Sequence, residues 1–146
     1  MRFFILIALL SFLSCESAVT QEEGNSVPKV VKEAFQAKYP DEKKEDWEID
    51  RNGNWEAKFK EDGEHYKADF TPDGKWIETE CSIKKKELPK AVEKSVKNQF
   101  DDYEIVEIEK TDHHSKGLFY DVEFKKDGKK FDVEFAKDGR VIGREE

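Results

Sequence analysis

WEAKFKEDGEHYKADFTPDGKWI (residues 55–77) and YDVEFKKDGKKFDVEFAKDGRVI (residues 120–142) are two versions of one pattern, 65 residues apart. Each alternates apolar and charged residues, turns at Asp-Gly, alternates again, and turns at a second Asp-Gly. In the first copy Trp55, Ala57 and Phe59 share one face, then Tyr66, Ala68 and Phe70. In the second, Tyr120, Val122 and Phe124 are followed by Phe131, Val133 and Phe135. Strict period two with one apolar and one charged face describes an antiparallel sheet with one side wet. Glycine accepts the positive φ of a tight hairpin, so Asn52-Gly53, Asp62-Gly63, Asp73-Gly74, Asp127-Gly128 and Asp138-Gly139 place the turns.

The repeat extends in both directions. Trp47 and Ile49 begin the first sheet segment, and Ile77, Thr79, Cys81 and Ile83 end it. Val106 and Ile108 open the second, and Ile142 closes it. Upstream, Val27-Pro28-Lys29-Val30-Val31 matches Leu88-Pro89-Lys90-Ala91-Val92 at an offset of 61. Apolar residues there recur at three- to four-residue spacing, Val27, Val30, Val31, Ala34 and Phe35 against Leu88, Val92, Val96 and Phe100, which predicts an amphipathic helix. Proline near its start loses no needed N–H. The two offsets differ by four residues, and the insertion falls in Thr111–Gly117, where a surface loop is expected.

The expected fold is therefore α+β: two tandem units, each a helix followed by a four-stranded antiparallel meander, with the helices covering one face of a curved sheet. The predicted boundaries are a signal peptide at 1–14, an anchor cysteine and tether at 15–26, repeat unit 1 at 27–86 and repeat unit 2 at 87–146. Units of about 60 residues are marginal alone, so 27–146 is expected to form one compact domain.

Residues 1–15 carry Arg2, an apolar run from Phe3 to Leu10, and then Ser11, Ser14 and Cys15. That is the layout of a secretory signal. Ser14 directly before Cys15 resembles a bacterial lipobox, in which Cys15 becomes the lipidated first residue. Ordinary cleavage near Ala18 is the alternative; separately, a Cys15 that is retained but not lipidated could form a disulfide with Cys81 across the tether. Beyond residue 14 no apolar run approaches the ~18 residues of a membrane span.

Composition narrows the function. The 146 residues are 36% hydrophobic and 41% charged, with a net charge of −8. An acidic chain without a basic cluster is a poor nucleic-acid binder. His113 and His114 beside Asp112 lack a third metal ligand at useful spacing. The Asp-Gly aspartates lack calcium-loop spacing and serve as turn residues. No nucleophile elbow is present and neither cysteine has a catalytic context, so no enzyme, metal or cofactor is expected. Trp76 and Phe119 fall off the buried phase and are expected among the charges of the open face.

In its helix starts, its Trp-Glu-Ala-Lys-Phe and Tyr-Asp-Val-Glu-Phe strands and its repeated Asp-Gly turns, the chain resembles the PepSY-like, beta-lactamase-inhibitor-like periplasmic proteins common in Bacteroidetes. The resemblance implies a non-enzymatic protein, exported to the periplasm or the outer membrane as a lipoprotein, that binds an envelope protein or peptide through its open sheet face. His65, Lys67, Trp76, Phe119 and Asp121 would form that contact surface. Binding of a small ligand or cation by the acidic face is the alternative.

Overall fold

The computed structural model describes residues 26–145. The segments expected to be signal peptide and lipidated Cys15, and nearly all of the expected tether, lie outside the described residues. Helix α1 (Lys29–Lys38) is followed by strands β1 (Asp46–Ile49), β2 (Trp55–Glu61), β3 (Glu64–Phe70) and β4 (Trp76–Ser82). A short 3-10 turn (Lys85–Glu87) leads to helix α2 (Lys90–Phe100). Strands β5 (Glu104–His113), β6 (Gly117–Lys126), β7 (Lys129–Ala136) and β8 (Val141–Glu145) complete the chain. All eight strands form one sheet in chain order, and every pairing is antiparallel. The predicted α+β architecture is the one observed, with the two meanders fused through β4 and β5.

Each helix builds its own core. Val31 and Phe35 of α1 pack on Trp55, Ala57, Phe59, Ala68 and Phe70. Val92 and Val96 of α2 pack with Leu88 on Ile108, Val122, Phe124, Val133 and Phe135. The cores are aromatic: Phe35 meets Phe59 edge-on at 5.3 Å, and Phe100 stacks on Phe124 at 4.6 Å. Such offset and T-shaped pairs add to simple area burial. At the Asp62-Gly63 and Asp127-Gly128 turns both residues have positive φ, so the short polar Asp and the unbranched Gly permit two-residue hairpins.

Three strands break the alternation at a β-bulge. Phe70 faces Trp76 while Asp69 faces Glu78, so Ile77 is the extra residue. Val106 and Ile142 are extra in the same way, between Ile105 and Glu107 and between Val141 and Gly143. An unpaired extra residue reverses the inside–outside phase of everything before it. Val106 and Ile142, expected inside, are 41% exposed, and Ile105 packs on the core instead. Trp76 moves the other way: expected on the open face, it packs against the α1 core.

The four-residue insertion is also not the expected loop. It lengthens β5 and β6 to ten residues each and extends their ladder to the His113–Gly117 pair. The tip is closed by the His113 Nδ1, which accepts backbone N–H bonds from Ser115 (3.1 Å) and Lys116 (3.2 Å).

Candidate functional site

Because both helices lie on one side, no described element covers the other face of the sheet. Strand alternation places on it Glu56 and Lys58 from β2, His65, Lys67 and Asp69 from β3, and Glu78 and Glu80 from β4. From the second meander come Glu107 and Glu109, then Phe119, Asp121 and Glu123, then Asp132 and Glu134. Carboxylates oppose carboxylates across several strand pairs: Glu56–Asp69, Asp69–Glu78, Glu109–Asp121 and Asp121–Glu134. Directly opposed like charges are unfavourable.

Lysines relieve part of this. Lys67 Nζ lies 3.0 Å from Glu80 and 2.8 Å from Glu109, joining the two meanders across their seam. Burial alone would lower the Lys67 pKa, but the paired Glu109 and Glu80 raise it overall. Lys116 pairs with Glu134 and lies over the ring of Phe119 at 5.3 Å from its centroid. Lys130 pairs with Glu123 at 2.5 Å.

The sequence-predicted contact residues are thus partly brought together. His65, Lys67, Phe119 and Asp121 share the open face. Phe119 is only 3% exposed, roofed by Lys116 and set between Thr111 and Ala136. It is a floor of the face rather than a projecting anchor. Trp76 is on the opposite side. Its indole N–H donates to Thr79 Oγ1 at 2.9 Å, and Lys38 Nζ sits 3.6 Å from its ring centroid. The bulge at Ile77 is the cause, and period-two counting has no signal for it.

The uncompensated carboxyls have a measurable consequence. Asp69 Oδ1 and Asp121 Oδ1 are shut off from solvent without a hydrogen-bond partner among the described residues. Burial, followed by repulsion from Glu56 and Glu80, pushes Asp69 up to about 7. Burial and then Glu80 do the same to Glu78, and burial with Asp132 and Glu134 to Asp121, both to about 7. A carboxyl whose pKa is raised in the folded state favours the folded state while protonated. Its contribution is full below about pH 4 and is lost as pH rises through about 7. His113, lowered by burial and by His114, works in the opposite sense. The expected result is a higher melting temperature at pH 5.5 than at pH 8, by about 2–5 °C. Asp69→Asn with Asp121→Asn should raise melting at pH 8 and flatten the profile. An unchanged slope in the double variant would show that these two groups are ionised as in free solution.

Among the described residues no group of three or more His, Cys, Asp or Glu side chains is arranged to hold a metal ion, and no helix is long and apolar enough to cross a membrane. Cys81 is a free, buried thiol on the helix side.

Fold and face together define an α+β tandem-repeat scaffold with one covered and one open sheet face. A profile of the family described as "Putative beta-lactamase-inhibitor-like, PepSY-like" matches residues 16–66 and 53–143, and the chain belongs to that family. Solved structures share the fold. A BLIP-like protein from Bacteroides fragilis is 18% identical with a TM-score of 0.72, over 84% of this chain and 88% of that one. A DUF2874 family protein from Bacteroides ovatus is 17% identical with a TM-score of 0.73, over 83% and 88%. A protein from Bacteroides eggerthii, described as a "putative periplasmic" protein, is 21% identical with a TM-score of 0.72, over 83% and 89%. No protein of curated function matches the chain.

Proposed function

We propose that the protein is a non-enzymatic envelope protein that binds another protein or peptide through the open face of its sheet. The observation that supports this reading is the one-sided placement of both helices, which leaves a charged eight-stranded face uncovered by the described residues. The family's description as beta-lactamase-inhibitor-like supports a protein-binding role. His65, Lys67, Phe119 and Asp121 belong to the proposed surface, and Trp76 is withdrawn from it. Repeat unit 1 (27–86) and repeat unit 2 (87–146) act as one body in this reading, since the surface spans the β4–β5 seam.

A photo-crosslinking residue at His65, on the open face, tests the proposal against one at Lys94, exposed on α2. In envelope extract the His65 position is expected to give a discrete adduct that the Lys94 position does not. Equal adducts from both positions, or none from His65, would overturn the surface.

Export with a lipid at Cys15 belongs to the same reading. It is supported by the signal-like residues 1–15 and by the periplasmic description of the Bacteroides eggerthii protein. Cys15→Ser is expected to move the protein from the membrane to the soluble fraction. Unchanged partitioning would refute the anchor.

A further inference from the structure

The helix side of the sheet is not covered continuously. Each helix sits on its own meander, and over the seam between them a cleft of about 530 Å3 remains. That volume is in the range of small-molecule and side-chain pockets. Tyr39, Tyr66 and Tyr120 line it together with Ile83, Leu118 and the Cys81 thiol. Leu118 is 41% exposed there, an unusual position for a leucine on the covered side of a sheet. Burial pushes the Tyr39 phenol up to about 12, so it stays neutral, and its hydroxyl is engaged with Thr79. Glu61, Glu64, Glu87 and Asp112 line the cleft, against Lys38 and Lys110. Lys38 rests on the Trp76 ring, 3.6 Å from its centroid, and also stands over the Tyr39 ring at 5.8 Å. The lining is therefore aromatic and net negative.

The repeat provides an internal comparison. Under the 65-residue offset Tyr66 corresponds to Phe131 and Thr79 to Arg144. The register agrees: Thr79 pairs with Ala68 as Arg144 pairs with Val133. In the second unit the Arg144 guanidinium lies over the Phe131 ring, 4.5 Å from its centroid. In the first unit the short Thr79 side chain is turned to Tyr39 and Trp76, and among the described residues no lysine or arginine is placed over Tyr66. The ring that a cation covers in one unit faces the cleft in the other.

We infer that this inter-unit cleft is a second binding site, separate from the open face, for a guanidinium or alkylammonium group seated over Tyr66, in the cleft that Tyr120 also lines. Aromatic faces attract such cations, more strongly where water is excluded. The carboxylates of the lining complete the match in charge. A free amine and an arginine or lysine side chain of a polypeptide present the same group.

Calorimetric titration of the full-length protein tests this with three probes: agmatine, acetyl-Gly-Arg-Gly-amide, and the uncharged isostere acetyl-Gly-citrulline-Gly-amide. Agmatine, the arginine peptide or both are expected to bind, and the citrulline peptide about tenfold more weakly or not at all. Binding of agmatine alone identifies a free amine, and of the arginine peptide alone a polypeptide side chain. Leu118→Arg, a change at an exposed position, should fill the cleft with the protein's own cation and weaken binding about tenfold. Glu64→Gln with Glu87→Gln should weaken it as well and serves if Leu118→Arg melts early. Asp121→Asn, on the opposite face, should leave it unchanged. No heat with either cation at millimolar concentration, equal binding of the citrulline peptide, or sensitivity to Asp121→Asn but not to the cleft variants would overturn the site. The crosslink from His65 is indifferent to all three results.

Discussion

Ala68→Asp is expected to unfold the protein at ordinary temperature, with a loss of about 3–5 kcal/mol. Ala68 is 0% exposed, lies between Ala57 and Thr79 in the register, and belongs to the α1 core. A carboxylate there would have neither water nor a cation. The neighbouring Asp69 supplies the control, because its side chain is on the other face and already carries an unpartnered oxygen. Asp69→Ala removes that oxygen and is expected to be neutral or slightly stabilising. Denaturant melts of the two variants, one residue apart, should therefore move in different directions. Equal destabilisation would mean that the two sheet faces do not differ as the register requires.

The second large effect is expected at Phe124. Its ring is fully buried, stacked on Phe100 at 4.6 Å and on Phe131 at 5.6 Å, with Tyr103 edge-on at 6.2 Å. Phe124→Ala leaves a void that helix and sheet cannot both close, and costs about 3–5 kcal/mol. Phe124→Leu keeps most of the volume and should cost less than half of that. If unfolding is followed by Trp fluorescence, all three tryptophans report on the first unit, since Trp47, Trp55 and Trp76 all pack around the α1 core. A loss of far-UV helix signal ahead of the fluorescence change in Phe124→Ala would show the α2 core opening first. A melting curve like that of the unmodified protein would contradict the burial of the ring.

Much of this fold was legible in the sequence because its physics is local. Asp62-Gly63 and Asp127-Gly128 announce two-residue turns by residue chemistry alone, and Val31 with Phe35 announces the buried side of α1 by spacing. What the sequence does not show is where the register shifts within a pair. The bulges at Ile77, Val106 and Ile142 occur at apolar residues that continue the alternation on paper, so only the partner strand reveals that they are surplus. That surplus residue is why Trp76 faces the α1 core and not the open face. Phe119 was placed on the right face but not at the right depth, because its cover, the Lys116 side chain, belongs to a hairpin that lengthens rather than loops. The cleft had no sequence signal at all. It exists because β4 pairs with β5 while the helices remain over their own strands, and Tyr39, Tyr66 and Tyr120 line it from three separate segments.

The strand order β1 to β8 follows the chain, and this has a kinetic meaning. Each pairing within a meander closes across no more than a turn, and each helix lies next to the strands it covers. Only the β4–β5 ladder must close a longer loop, with α2 inside it. Topologies dominated by such near-neighbour contacts have low entropic barriers and fold fast for a β-rich chain. Both meanders are built from such near-neighbour contacts, and the β4–β5 ladder, with Lys67 reaching Glu109 across it, is where the two become one sheet.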